Sequence, residues 1–370
     1  MKILITGAAG FIGRNLCARL RERGYTELLE YSRASGREAL LRYTRDCGFV
    51  FHLAGVNRPA EPGAFDENRS FTAELLNSLR ETNNAAPVLY ASSAQAALGN
   101  AYGRSKLQAE ELVFAYGAQM ETDVYVYRLP GVFGKWCRPN YNSVVATFCD
   151  AAANGRPLCI LDADTPLTLA HIDDVTGEMI RALEGRATRQ GAFCALSRTF
   201  PTTVGEVAQR IVSFRTERPN CAVPDMDDPL TMRLYSTYLS YLPEDDFGYP
   251  LTLHEDDRGL FAEFLKSPSG GQVSVNISRP GVTKGNHYHH LKVEKILVVS
   301  GEGIIRLQLL GGGPVLEYRI CGNRPSVVTI PPGYVHAVEN SGGGDMAMVI
   351  WANQVFDPER PDTYPAQIQL

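Results

Sequence analysis

Tyr102 and Lys106 stand four residues apart in Tyr102-Gly103-Arg104-Ser105-Lys106, which puts a phenol and an ammonium on one face of a helix. A cation held near a phenol favours the phenolate. The expectation is a Tyr102 pKa lowered toward the range of a group that protonates a nascent alkoxide. Shortly before this pair, Tyr90-Ala91-Ser92-Ser93-Ala94 reads as a strand ending in hydroxyls able to hydrogen-bond a substrate carbonyl. At the N-terminus, Gly7-Ala8-Ala9-Gly10-Phe11-Ile12-Gly13 follows an apolar strand and opens a helix. The glycines allow a tight turn, close approach of backbone to a pyrophosphate, and close helix packing, with the helix N-terminus facing the anion. Where an acidic residue would accept from a ribose 2′-hydroxyl, the chain has Tyr31-Ser32-Arg33, followed by Arg37. Hydroxyl and guanidinium groups there suit a 2′-phosphate, so NADPH is favoured over NADH.

A second constellation lies far along the chain. Of 7 histidines, His287, His289, His290 and His336 fall in one short stretch. His287 and His289 are two apart, so on a strand both imidazoles face one side. Glu294, expected on a neighbouring strand, and His336, from another hairpin, complete three imidazoles and a carboxylate. This set suits Zn²⁺, with Fe, Mn or Ni as alternatives, and leaves room for water or a substrate oxygen. His290 points the opposite way and is expected to be surface. His52 and His171 lack paired ligands nearby and read as core or loop histidines.

The elements that position these groups differ between the two halves. Up to about residue 180, apolar runs at 2–6, 27–32, 49–54, 87–92, 123–128 and 157–161 read as strands. They alternate with helix-length segments at 12–23, 70–82, 101–116 and 141–154, the pattern of a parallel α/β sheet. From about 270, short strands between Gly and Pro turns indicate an all-β sandwich or small barrel. The boundary is expected near residue 250, giving a doubly wound Rossmann-type domain over 1–250 and an all-β barrel over 251–370.

The chain has 370 residues, 44% hydrophobic, and a formal net charge of −5. With no basic block to neutralise a phosphate backbone, no nucleic-acid partner is expected. The 8 cysteines are scattered without a CxxC pair, the usage of reduced thiols. No run approaches a membrane span, and the N-terminal apolar run is too short for a signal segment. The expected compartment is the cytoplasm.

Over roughly residues 1–240 the sequence resembles the extended short-chain dehydrogenase/reductase family, which acts largely on nucleotide sugars. The carrying residues are Gly7, Gly10 and Gly13, His52-Leu53-Ala54-Gly55, Ser92-Ser93, Tyr102 with Lys106, Arg128-Leu129-Pro130-Gly131-Val132-Phe133-Gly134, and His171-Ile172-Asp173-Asp174. The resemblance implies Tyr102 as general acid, Lys106 orienting the nicotinamide ribose, Ser93 polarising the carbonyl, and Phe11, Ile12, Leu53 and Ala54 beside the cofactor. The family usually has Asn where Gly131 stands. Residues 270–355 resemble the cupin family, whose two motifs are matched in order, except that Pro325 replaces a turn glycine in the second.

With this domain order the whole chain resembles a family of bifunctional capsular polysaccharide assembling enzymes. That resemblance implies a UDP-2-acetamido-2,6-dideoxy-hexos-4-ulose substrate, C3 epimerisation in the cupin, and NADPH-dependent C4 reduction to the UDP-6-deoxy-L-talose derivative, a precursor of N-acetyl-L-fucosamine. It also implies a homodimer. The rival reading is a dehydratase or 4-epimerase, with the cupin a dimerisation or sugar-sensing module. The residues after Ser93, Ala94-Gln95-Ala96, lack the acid pair a dehydratase would use.

Overall fold

The computed structural model describes residues 1–58 and 65–369; the side chain of Arg33 also lies outside the described residues. The chain divides into two compact units, Met1–Ile211 with Ser236–Leu242, and Val212–Tyr235 with Pro243–Leu370. Val212–Tyr235 thus groups with the strand-rich half, ahead of the boundary near residue 250 that composition suggests. Among the described residues, no helix is long and apolar enough to cross a membrane.

The first unit alternates strand and helix: β1 (Ile3–Thr6), α1 (Phe11–Glu22), β2 (Leu28–Tyr31), α2 (Gly36–Asp46), β3 (Phe49–His52), α3 (Asp66–Glu81), β4 (Val88–Ser93), α4 (Ala101–Met120), β5 (Val124–Leu129), β6 (Gly131–Phe133), α5 (Val144–Ala153), β7 (Pro166–His171) and α6 (Ile172–Leu183). Short strands β8 (Arg189–Gln190), β9 (Phe193–Cys194) and β10 (Phe200–Thr203) follow, then α7 (Val204–Glu217) and α8 (Pro229–Leu239), each divided between the two units. The main sheet runs β2-β1-β3-β4-β5-β9-β8, and a second sheet runs β10-β7-β6. Every residue of β1 and β3 is buried, as a parallel strand covered on both faces requires. One face packs Ile3 and Ile5 against Leu16 and Leu20 of α1 and Met179 of α6. The other packs Leu4 and Val50 against Leu75 and Leu79 of α3 and Val113 and Tyr116 of α4. Each such fully buried side chain contributes about 2 kcal/mol of transfer free energy. Because β1 pairs in parallel with both β2 and β3, the connections leave its carboxyl end in opposite directions. A crevice opens at such a switch point.

Pro157–Leu161 is a correction: it forms no strand, and Leu161 is 97% exposed. Asp162 instead builds a turn just beyond it, accepting from the Asp164 N–H at 3.0 Å and the Thr165 hydroxyl at 2.8 Å. The next strand is β7. A short apolar run carries too little pattern to separate strand from loop.

The strands of the second unit are β11 (His254–Asp256), β12 (Gly259–Ser267), β13 (Gly271–Ser278), β14 (Thr283–Tyr288), β15 (Glu294–Ser300), β16 (Glu302–Leu309), β17 (Leu316–Cys321), β18 (Val327–Ile330), β19 (Tyr334–Asn340), β20 (Met346–Ala352) and β21 (Tyr364–Pro365). They form two antiparallel sheets, β11-β12-β13-β20-β15-β18 and β17-β16-β19-β14-β21. Ile296, Val298, Met346 and Met348 of the first share one core with Ile305, Leu307, Ile320 and Val338 of the second. No hydrogen-bonded pairing among the described strands closes the two sheets into a barrel.

Candidate functional site

In the first unit, Gly7, Gly10, Phe11, Ile12, Gly13, Leu53, Ser93, Tyr102 and Lys106 line one cavity of about 880 Å³. Helix α1 begins at Gly10 with no side-chain cap, so its first-turn N–H groups are free for an anion. A Cβ on Gly13 would come within 2.2 Å of the Gly7 carbonyl oxygen, so only glycine lets the helix sit this close to the turn. Cavity, uncapped helix end and glycine cradle fit a dinucleotide. Ala54 is not among the lining residues; its N–H donates to Thr6 Oγ1 at 3.3 Å and fixes the β3 exit against β1. Ser32 and Arg37 do not line the cavity either. Ser32 bonds within its own turn to Ser35, and Arg37 is paired with Glu81 of α3 at 3.7 Å. Both partners of that pair are more than half exposed, so it is a loose surface contact that does not decide whether Arg37 meets a 2′-phosphate.

Asn100 caps α4, accepting from the Gly103 N–H at 2.7 Å, and so sets the register of Tyr102 and Lys106. Gly103 matters for approach: a Cβ there would meet the Gln95 carbonyl at 2.1 Å. Tyr102 and Ser93 line the same cavity, where the Ser93 hydroxyl favours the phenolate. Burial outweighs it and pushes the Tyr102 phenol above its ordinary value, the reverse of the lowering expected from Lys106. Desolvation acts on the ammonium as well. Lys106 is only 5% exposed, its Nζ donates to the Ala91 carbonyl at 2.9 Å, and burial brings its pKa down to about 8 against the pull of Glu110.

Beneath these groups is a network the sequence reading missed. Glu110 accepts from Ser92 and takes the Arg128 guanidinium on both oxygens, at 2.6 Å from Nη2 and 3.0 Å from Nε. Ser92 is thereby committed, leaving Ser93 as the hydroxyl that meets Tyr102. The signal was available, since Glu110 lies one turn beyond Lys106 on the same helix face. His52 is a core residue, bonded to Thr6 at 2.8 Å and Thr72 at 2.9 Å, with burial lowering its pKa to about 3. His171 caps α6 through the Asp173 N–H.

In the second unit, His287, His289, Glu294 and His336 offer ligand atoms all within 4.8 Å of one another. His287 is the register partner of His336 across β14 and β19, brought there by a bulge at Asn286, whose φ is +57°. His289 stands after β14 ends. Its ring is aimed by a hydrogen bond from Nδ1 to the Asp362 carbonyl at 2.6 Å, not by strand periodicity. Glu294 comes from the facing sheet rather than from a neighbouring strand, and its oxygens lie 3.6 Å from His289 Nε2 and 3.5 Å from His336 Nε2. His289 Nε2 is buried with no hydrogen-bond partner among the described residues. Burial holds His336 at about 4 and lowers His287, while at Glu294 the imidazoles outweigh burial and keep the carboxylate ionised. Three imidazoles, one carboxylate and an orphaned ring nitrogen fit a divalent cation. His290 is exposed, against Tyr288 and Tyr364, outside the cluster.

Glu294 also lines a chamber of about 360 Å³ with Phe261, Glu263, Gln272 and Lys292. Gln272, Ala352 and Glu294 are register partners across β13, β20 and β15, so they share one sheet face. Lys292 donates to the Pro361 carbonyl and the Thr363 hydroxyl, both at 2.9 Å. No local pattern announces Lys292 or Asp362.

The profile of the NAD dependent epimerase/dehydratase family matches residues 3–193. The chain belongs to that family. The polysaccharide biosynthesis C-terminal domain profile matches residues 254–364. A UDP-2-acetamido-2,6-beta-L-arabino-hexul-4-ose reductase of Pseudomonas aeruginosa is 42% identical over 369 residues, covering 100% of this chain and 99% of that protein. The crystal structure of the capsular polysaccharide assembling protein CapF from Staphylococcus aureus aligns with TM-score 0.91 and 42% identity over 100% of both chains, so the chain is of the CapF type. The Thermus thermophilus UDP-glucose 4-epimerase complex with NAD, 20% identical, covers 58% of this chain and 84% of that one at TM-score 0.50, a likeness of fold alone.

Proposed function

We propose that the chain is a bifunctional enzyme of UDP-amino-sugar metabolism. In this reading the first unit reduces the C4 ketone of a UDP-2-acetamido-2,6-dideoxy-hexos-4-ulose, and the second, a cupin with bound Zn²⁺ or another divalent metal, first inverts C3. The product is UDP-2-acetamido-2,6-dideoxy-L-talose, for capsule or O-antigen precursors, made in the cytoplasm by a homodimer. The observation that carries the reading is the meeting of Ser93, Tyr102 and Lys106 in the cavity that contains the glycine turn. The named activity of the Pseudomonas relative supports the ketone as substrate.

NADPH, when bound, supplies the hydride that C4 receives. Ser93 donates to the ketone oxygen and Tyr102 gives it a proton as charge develops. Lys106, fixed by Ala91, holds the ribose beside Tyr102. The N–H groups at the start of α1 hold the pyrophosphate. In the second unit, a ketone at C4 acidifies the C3 proton, and return of a proton from the opposite face inverts that carbon. The cation, when bound, stabilises negative charge on a substrate oxygen. Glu294 and the three imidazoles hold it, and the Lys292 ammonium adds positive charge to the chamber wall. Reduction then removes the ketone and fixes the inverted centre.

The test is NMR of the product formed from the 4-keto UDP-sugar with NADPH in D₂O. Deuterium at C3 and hydride at C4 are expected. A product reduced at C4 with protium retained at C3 removes the epimerase half, and no NADPH oxidation with any 4-keto sugar nucleotide removes the reductase half.

A further inference from the structure

We propose that Asp362 is a positioning residue of the metal centre, and that the segment Pro361–Ala366 is a strap whose order is coupled to cation binding. The inference rests on the metal reading above. The Asp362 carboxylate accepts from three consecutive backbone N–H groups: His290 at 2.9 Å on Oδ1, and Leu291 at 2.8 Å and Lys292 at 2.7 Å on Oδ2. Its carbonyl takes the His289 Nδ1 proton, which fixes the tautomer and leaves Nε2 bearing the lone pair that faces Glu294. The same residue therefore orients one ligand and pins the turn that leads to the next.

The strap reaches a third ligand by another route. Strand β21 pairs with the end of β14, Pro365 opposite His287 and Tyr364 opposite Tyr288, and the Ala366 N–H donates to the Asn286 carbonyl at 3.0 Å, at the bulge that turns His287 inward. Lys292 closes the loop from the opposite side through Pro361 and Thr363. Asp362 has a φ of +40°, an unfavoured conformation for a residue with a side chain, and it is held there by these bonds. An edge strand needs only its ladder. Six side-chain-mediated bonds between residues 289–292 and residues 361–363 place this stretch in the support of the ligand set.

Reciprocity of coupling supplies the test. In the full-length protein, Asp362→Ala should weaken Zn²⁺ binding by about 10- to 100-fold in chelator competition and alter the visible spectrum of the Co²⁺-substituted form, with far-UV circular dichroism unchanged. Wild type stripped of metal should lose amide protection in peptides spanning 289–293 and 361–366 while β16 and β17 keep theirs, a readout that needs no variant to fold. Equal Zn²⁺ affinity and Co²⁺ spectrum in Asp362→Ala, or protection indifferent to metal, would overturn the strap while leaving the metal site standing. Failure of wild type to bind a stoichiometric divalent cation would overturn the metal reading, and the strap with it.

Discussion

Replacing Lys106 by Met should abolish reduction and stabilise the fold, because the ammonium is kept at a cost. Its pKa falls from 10.5 to about 8 on burial. At 1.36 kcal/mol per decade this corresponds to roughly 3 kcal/mol of unfavourable free energy at neutral pH. Loss of the hydrogen bond to Ala91 offsets about 1 kcal/mol, so Lys106→Met should gain roughly 2 kcal/mol at pH 7. The sign follows from proton counting. Below pH 8 both folded and unfolded chains hold the proton, and folding bears the whole penalty. Between about 8 and 10.5 only the unfolded chain retains it, so wild-type stability gains with rising pH relative to the variant, which has no such group. The variant's advantage should shrink across that window and be gone at about pH 9.5, where about 2 kcal/mol of the penalty has been relieved. The chain has 2 tryptophans, Trp136 in the first unit and Trp351 in the second, so urea unfolding followed by fluorescence in a Trp351→Phe background reports the unit that carries Lys106. A variant less stable than wild type at pH 7, or a difference flat from pH 7 to 10, would refute the argument.

Tyr102→Phe should eliminate NADPH oxidation while solvent deuterium still enters C3 of the keto-sugar; loss of both together would contradict two separate sites. His336→Ala should lower bound metal measured by elemental analysis, and unchanged metal content would remove His336 from the ligand set. Glu110→Gln leaves the Arg128 guanidinium without its carboxylate, and should cost about 3 kcal/mol in urea unfolding of the first unit. A change below 1 kcal/mol would show the network to be incidental.

The features legible in the sequence are those whose partners are close along the chain. The glycine turn and the Tyr102–Lys106 pair were readable because turn and helix geometry convert short spacings into a shared face. The quartet His287, His289, Glu294 and His336 was readable from residue type and clustering, although the fold assembles it by other means than strand periodicity. Where geometry came from elsewhere, the reading slipped. Pro157–Leu161 has the composition of a strand and no neighbouring strand to pair with. The pKa of Tyr102 was inferred from neighbouring charges, a reading that contains no measure of burial, and burial raises it. Asp362 acts on a loop 70 to 73 residues away, and no local pattern encodes such a contact.

Both sites hold groups that folding alone would disfavour. An ammonium is buried at Lys106, and a ring nitrogen is orphaned at His289. Other buried groups are satisfied: His52 bonds at both nitrogens, and Glu110 meets Ser92 and Arg128. A buried polar group with its partners present stabilises the scaffold, whereas one with a partner missing, set among several other ligand atoms, points to a ligand that completes it. In the proposed reading a cation completes His289 Nε2. Lys106 has one hydrogen-bond acceptor among the described residues for three protons, and the same reading gives the other two to the ribose hydroxyls of the cofactor.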